Sequence, residues 1–176
     1  MAVAALDTIA GAILDAAVAG LAVATTGRAA PGTSYVSHGP PTGEHCCDDG
    51  YLTVHLDRLE TAPSLDGDFP QVPCALLPYA HYIITLGRCV PQLGDSMTTT
   101  SVPAADLDAA AADLLEDLWA LWTELADRIK AGTLVDGTAC RDVRLGEALP
   151  LEESGACAGW VIALRVLVND AGPTGS

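Results

Sequence analysis

Two kinds of side chain are scarce in this chain of 176 residues. It has one Phe, three Trp and four Tyr, and its eight Lys and Arg stand against 23 Asp and Glu. With so few aromatics, the core has to come from well-patterned helices and strands of aliphatic residues rather than from aromatic clusters. With so few cations, functions that rest on neutralising phosphates are excluded, because nucleic-acid affinity comes from basic side chains displacing counterions. The basic residues (Arg28, Arg58, Arg88, Arg128, Lys130, Arg141, Arg144 and Arg165) are scattered and form no basic stripe. A formal charge of −15 repels DNA, anionic membrane and other copies of the chain unless a neighbouring protein compensates.

Familiar catalytic signatures are missing as well. There is no G-x-S-x-G elbow, no H-E-x-x-H and no G-x-x-x-x-G-K-[ST] phosphate loop. The apolar N-terminus "AVAALDTIAGAILDAAVAGLAVATTG" has no positively charged lead, and Asp7 and Asp15 interrupt it. It therefore reads as neither an export signal nor a membrane span, and the expectation is a product made in the cytoplasm with no membrane partner. No internal repeat and no linker divides the sequence. One domain over residues 1–170 with a flexible tail at 171–176 is predicted, long enough to bury a core without metal or disulfide staples.

What is present is periodicity. Leu6, Ile9, Ile13 or Leu14, Ala17 and Leu21 recur at three-and-four spacing and predict a helix over 4–24. Ala10, Ala12, Ala16, Ala19 and Gly20 leave its surface small enough for another element to approach closely. A Gly/Pro/Ser/Thr-rich stretch follows, with one short strand predicted at Ser34–Ser37. Tyr51–Leu59 alternates, with Leu52, Val54 and Leu56 on one face and Thr53, His55 and Asp57 on the other. Tyr79–Cys89 does the same, with Tyr82, Ile84 and Leu86 against His81, Ile83 and Thr85.

The strongest element spans Ala104–Ala131. Leu107, Ala111, Leu114, Leu118, Leu121, Leu125 and Ile129 mark its apolar line, with Trp119 and Trp122 beside it. Asp106 and Asp108 near its start, Arg128 and Lys130 near its end and Gly132 just beyond suit the helix dipole and the end cap. Its acidic residues read mostly as the solvated face. The last third predicts two strands, Cys140–Glu147 and Trp160–Val168, joined by "ALPLEESGACAG". The second is apolar on both faces, which suits a central strand, or one covered by a helix on one side and a subunit on the other. The order helix, strand pair, long helix, strand pair predicts an α+β fold: a mainly antiparallel sheet of four to five strands flanked by the N-terminal and the long central helix.

The cysteines and histidines are the remaining chemistry. A zinc site would need His45, Cys46 or Cys47, Cys74 and Cys89 to converge across strands, yet adjacent Cys46 and Cys47 lack the C-x₂₋₄-C spacing that turns two thiolates toward one ion. A Cys–His enzyme would draw on His38, His45, His55 or His81, but His55 and His81 lie in alternating strands, where a sheet-surface histidine needs no catalytic role. The six cysteines (Cys46, Cys47, Cys74, Cys89, Cys140 and Cys157) form an even set. Reduced thiols suit a cytosolic product, and oxidation suits a particle that leaves the cell. Cys140 and Cys157 flank the terminal strand pair, and Cys157 has both the start of that pair and Cys46/Cys47 as directions of return. The residues support no catalytic group, no cofactor and no metal, and the cysteines read as structural.

Three segments in order, "CCDDGYLTVHL", "CALLPYAHYIITLGRCVP" and "SGACAGWVIALRVLV", with the long helix between the second and third, resemble a family of virion proteins from long-tailed phages of actinobacteria, described as head-to-tail connector or tail terminator proteins. The specific parts are Cys46-Cys47 before a strand, Arg88-Cys89-x-Pro91 after one, and Gly155-x-Cys157-x-Gly159-Trp160 leading into the last. The likeness covers roughly residues 1–170. It implies a non-enzymatic subunit of a ring, six copies in a tail terminator, set between a head-side connector or stopper protein and the major tail tube protein in the virion neck. It also implies a sheet flanked by two helices and a lumen through which DNA passes without specific binding, which an acidic wall favours by repulsion. The alternatives are a head-side adaptor ring contacting the portal and, in another class, a small Cys/Zn-dependent enzyme.

Overall fold

The computed structural model describes residues 2–24, 30–41, 50–61, 78–90, 102–135, 140–151 and 157–168. Within them the chain forms helix α1 (Ala2–Ala22), strands β1 (Thr33–Ser37), β2 (Tyr51–Thr61) and β3 (Pro78–Cys89), helix α2 (Ala104–Ala131), and strands β4 (Cys140–Pro150) and β5 (Cys157–Val168). The strands make one sheet in the order β1-β2-β3-β5-β4. β1 runs parallel to β2, and each other neighbouring pair is antiparallel. This is the α+β arrangement expected from the element order, with β5 central.

The last two strands run further into their connection than the alternation suggested. Pro150 pairs with Trp160, and the Leu151 N–H donates to the Gly159 carbonyl at 2.9 Å. Two antiparallel neighbours keep zipping toward their connection because each added pair costs little loop entropy. A shift of register between Leu145 and Ala148 lets β4 continue past Gly146.

Both helices lie on one face of the sheet. α1 covers β1, β2 and the edge of β3, α2 covers β4 and β5, and the two helices touch. The core is the layer between them. Ile9, Ile13, Ala16, Ala17 and Leu21 of α1 meet Leu52, Val54, Tyr82, Ile84 and Leu86 of the sheet, with Ile162, Leu164 and Val166 beneath α2. The apolar stretch Ala5–Ala22 is long enough to cross a membrane by length and composition. Here its apolar line is spent on the core, while Asp7 and Asp15 are exposed. The small residues of α1 serve the helix contact. A methyl placed on Gly20 would stand 3.0 Å from the Ala120 carbonyl and 3.0 Å from the Glu124 Cβ, so α2 sits where only a hydrogen fits.

α2 begins after Pro103, with Asp106 in its first turn, and ends with Arg128 and Lys130 in its last. Gly132, at φ 68°, closes it in the left-handed conformation that glycine adopts without a Cβ clash. Its N–H and that of Thr133 donate to the Ile129 and Arg128 carbonyls, as in a Schellman end.

Candidate functional site

α2 departs from the sequence reading at Asp117. The buried positions of the helix are Ala110, Asp117, Leu121 and Leu125, while Ala111, expected on the apolar line, is exposed. Asp117 is 0% exposed. Its partner is Arg88 near the end of β3, also buried, whose Nε donates to Oδ2 at 3.0 Å and whose Nη2 lies 3.5 Å from Oδ1. The carboxylate thus belongs to the sheet–helix junction and not to the solvated face. One row away, the Trp160 Nε1–H donates to the Leu114 carbonyl at 2.8 Å. These two contacts fix the N-terminal half of α2 over one end of β3 and β5.

The other face of the sheet is also partly covered. Thr53, His55 and Thr85 point away from the helices and are buried, with His55 5% exposed, so His55 is not the sheet-surface histidine expected. Among the described residues the Thr53 Oγ1 and His55 Nδ1 have no hydrogen-bond partner. Burial pushes the His55 imidazole below its ordinary range by penalising the charged form, and the nearby Asp57 carboxylate opposes that shift. Further up the same face the Tyr51 ring lies over Gly87, where a methyl group would come within 2.5 Å of the ring. Burial, and secondarily Tyr35, pushes the Tyr51 phenol up.

Toward the opposite end, Glu60 gathers a polar cluster on this face. His81 Nε2 lies 2.8 Å from the Glu60 Oε2, Arg165 Nη2 lies 3.8 Å from the same oxygen, and the Arg165 guanidinium stacks 3.9 Å above the Tyr79 ring. His81 is therefore held by a cross-strand carboxylate.

His45, Cys46, Cys47 and Cys74 lie outside the described residues. His38 is exposed just after β1. Cys89 and Cys157 are paired directly across β3 and β5, yet Cys89 is an exposed thiol whereas Cys157 is buried and disulfide-bonded. Cys140 pairs with Val168, at the far end of β5 from Cys157. A strand of that length separates the two backbones by roughly 36 Å, and a disulfide needs Cα atoms within about 7 Å, so the terminal strand pair is not closed on itself by this bond. Among the described residues no group of three His, Cys, Asp or Glu side chains is arranged to hold a metal ion.

The exposed surface of α2 carries a second apolar line. Ala112, Leu115 and Trp119 follow one another at three-and-four spacing on the exposed side, while Trp122 packs against the core. Leu115 is 58% exposed and Trp119 71%, and they are neighbours at i and i+4. Asp108 lies at the head of this line and Glu116 beside it, one turn before Trp119. A helix apolar on both sides is fitted to be covered on both. The sequence held part of the signal: Leu115 and Trp119 stand one turn apart to the side of the core line. In chemical terms the described surface offers a large indole, a leucine and carboxylates at a helix, which suits contact with protein. Compared with protein-family models and with curated proteins, the chain finds no match.

Proposed function

We propose that this chain is a structural ring subunit of the neck of a long-tailed phage, with the tail terminator position favoured: a ring that caps the tail tube and joins it to the head-side connector. The observation that carries the reading is the exposed apolar line of α2 that ends in Trp119. A Trp and a Leu one turn apart in water represent about 2–3 kcal/mol of unburied apolar surface each, which a protein contact recovers. The sequence resemblance supplies the setting. The two-helix, single-sheet fold agrees with what that resemblance implies.

The charge supports the same reading. Each of the six described Lys and Arg side chains lies within 4.0 Å of a carboxylate: Arg58 with Asp57, Arg88 with Asp117, Arg128 with Glu124, Lys130 with Asp127, Arg144 with Asp142 and Arg165 with Glu60. Such a surface gives a translocating genome little to hold. The test is to remove the protein from the phage that encodes it. Particles are then expected as unjoined heads and tails, or with tails of aberrant length, and normal infectious particles would reject the proposal.

A further inference from the structure

Cys89 and Cys157 face each other on one rung of the β3–β5 ladder. Opposed residues of an antiparallel pair stand about 4.5–5.5 Å apart at Cα and point to the same side. That spacing lies inside the range of roughly 4.4–6.8 Å that a disulfide bridges. The side is the one away from the helices, because the preceding Arg88 reaches α2. Yet the two sulfurs differ in state. Cys89 is an exposed thiol, while Cys157 is 2% exposed and already disulfide-bonded. A thiol therefore stands beside one sulfur of a bond that goes elsewhere.

Chain length narrows where that bond goes. Cys140 sits at the far end of β5. Cys74 stands four residues before Pro78, at the end of β3 remote from Cys89. Four residues span at most about 14 Å, against about 36 Å from Pro78 to the rung of Cys89, so Cys74 falls short. Cys46 and Cys47 stand five and four residues before Tyr51. Tyr51 is level with Gly87 and Gly159 across the sheet, two residues from the Cys157 rung, and it packs against Cys157. From there the Cys46-Cys47 pair has Cys157 in reach.

We infer that the bond of Cys157 runs to Cys46 or Cys47 and exchanges internally with Cys89, so that the chain holds a two-position disulfide switch centred on Cys157. The Cys89 thiol gives up its proton, and its sulfur bonds the Cys157 Sγ. The bond from Cys157 to the Cys46-Cys47 pair breaks, and the departing sulfur leaves as a thiolate and takes up a proton. No electron enters or leaves the chain, so the step needs neither oxidant nor reductant. Loop entropy grows only with the logarithm of length, so it leaves the two positions close in free energy. One position ties the approach to β2 onto the start of β5. The other closes the β3–β5 rung and releases that approach.

The experiment uses the full chain and its Cys89→Ser variant, with circular dichroism to show that the variant keeps the fold. Both are oxidised with glutathione disulfide, separated from it at pH 4, and shifted to pH 6, 7 or 8. At intervals the thiols are blocked with N-ethylmaleimide, and tryptic peptides are mapped without reduction. Cleavage after Lys and Arg puts Cys74, Cys89, Cys140 and Cys157 on four separate peptides and Cys46 with Cys47 on a fifth. The parent is expected to show Cys157 in two links, one to the Cys46-Cys47 peptide and one to Cys89, in a ratio independent of protein concentration. The approach to that ratio is expected to quicken severalfold per pH unit, because the thiolate is the attacking form. Cys89→Ser is expected to keep the first link alone. A parent with no Cys89–Cys157 link at any pH, or with one that appears only at high concentration, overturns the switch. A Cys157 joined to Cys74 or Cys140, or one that stays a thiol after oxidation, overturns the assignment of the bond.

Discussion

Arg88 and Asp117 face each other at 3.0 Å across the boundary between sheet and helix, 29 residues apart in the chain and both buried. Desolvating two charges offsets much of their attraction, so the pair is a poor source of net stability but a costly one to break. Asp117→Ala removes the carboxylate that the buried guanidinium bonds and is expected to cost about 3–5 kcal/mol in urea unfolding. A double change to apolar residues of similar volume, Arg88→Met with Asp117→Leu, is expected to recover most of that loss. A double variant no more stable than Asp117→Ala would show that the pair contributes more than mutual neutralisation.

Thr53 supports a prediction of opposite sign. Its hydroxyl is buried with no partner among the described residues, so the fold carries its desolvation without a compensating hydrogen bond. Thr53→Val keeps the shape and the strand propensity and removes the polar atom. The variant is expected to be more stable than the parent by about 1 kcal/mol, read as a higher urea midpoint with an unchanged slope. A destabilised variant would mean that the hydroxyl has a partner in solution.

His55 links stability to pH. Its imidazole titrates below the ordinary histidine range in the fold, so between the folded and unfolded values the unfolded chain binds the extra proton. The stability that neutral His55 contributes is therefore complete above the unfolded value, near 6.5, and drains away as the pH falls through that region toward the lower folded value. Across the sheet His55 faces Ser37 and Ile83, neither of which titrates, and Asp57 on its own strand pulls the other way. Urea midpoints measured from pH 8 to pH 5 are expected to fall less steeply for His55→Gln than for the parent. Parallel curves would remove His55 from the account.

How much of this was legible beforehand varies from residue to residue. The helix over Ala104–Ala131, its glycine end and the double-sided β5 all follow from spacing, because periodicity reports which residues share a face. The Arg88–Asp117 pair was also encoded. Arg88 continues the Tyr82, Ile84, Leu86 alternation, and Asp117 stands three after Leu114 and four before Leu121, so each occupies a core position by its own period. Reading charge as a sign of exposure hid both. The burial of Thr53 and His55 was not encoded locally, since alternation shows that they share a face with Thr85 but not that the face is covered. Spacing set Trp119 and Trp122 beside the apolar line without telling them apart, and packing separates them: Trp122 rests against the core and Trp119 is exposed.

Cys157 lies opposite Cys89 across the ladder but takes its disulfide elsewhere. Because Cys140 sits at the other end of β5, the bond ties the start of this central strand to a different part of the chain. Such a link removes entropy from the unfolded state, and reduction is expected to lower stability by about 2–4 kcal/mol. Cys157→Ser should show the same loss without reductant and no further loss with it, whereas Cys89→Ser should leave the response to reductant intact. A parent indifferent to reductant would show that the isolated protein carries the thiol form.

The most direct consequence of the charge pattern concerns DNA. A protein that neutralises phosphates gains affinity from released counterions, and that affinity falls steeply with salt. Here every described basic side chain already has a carboxylate within 4.0 Å, and the buried Arg88 is removed from the surface altogether. Forming one phosphate contact would mean breaking an internal pair and bringing its carboxylate toward a like charge. Fluorescence anisotropy with a labelled duplex is therefore expected to show no binding at low salt, where attraction is strongest, and no change on adding salt. Salt-sensitive binding would mean that Arg28 or Arg141, the two cations outside these six pairs, dominate the surface that DNA meets.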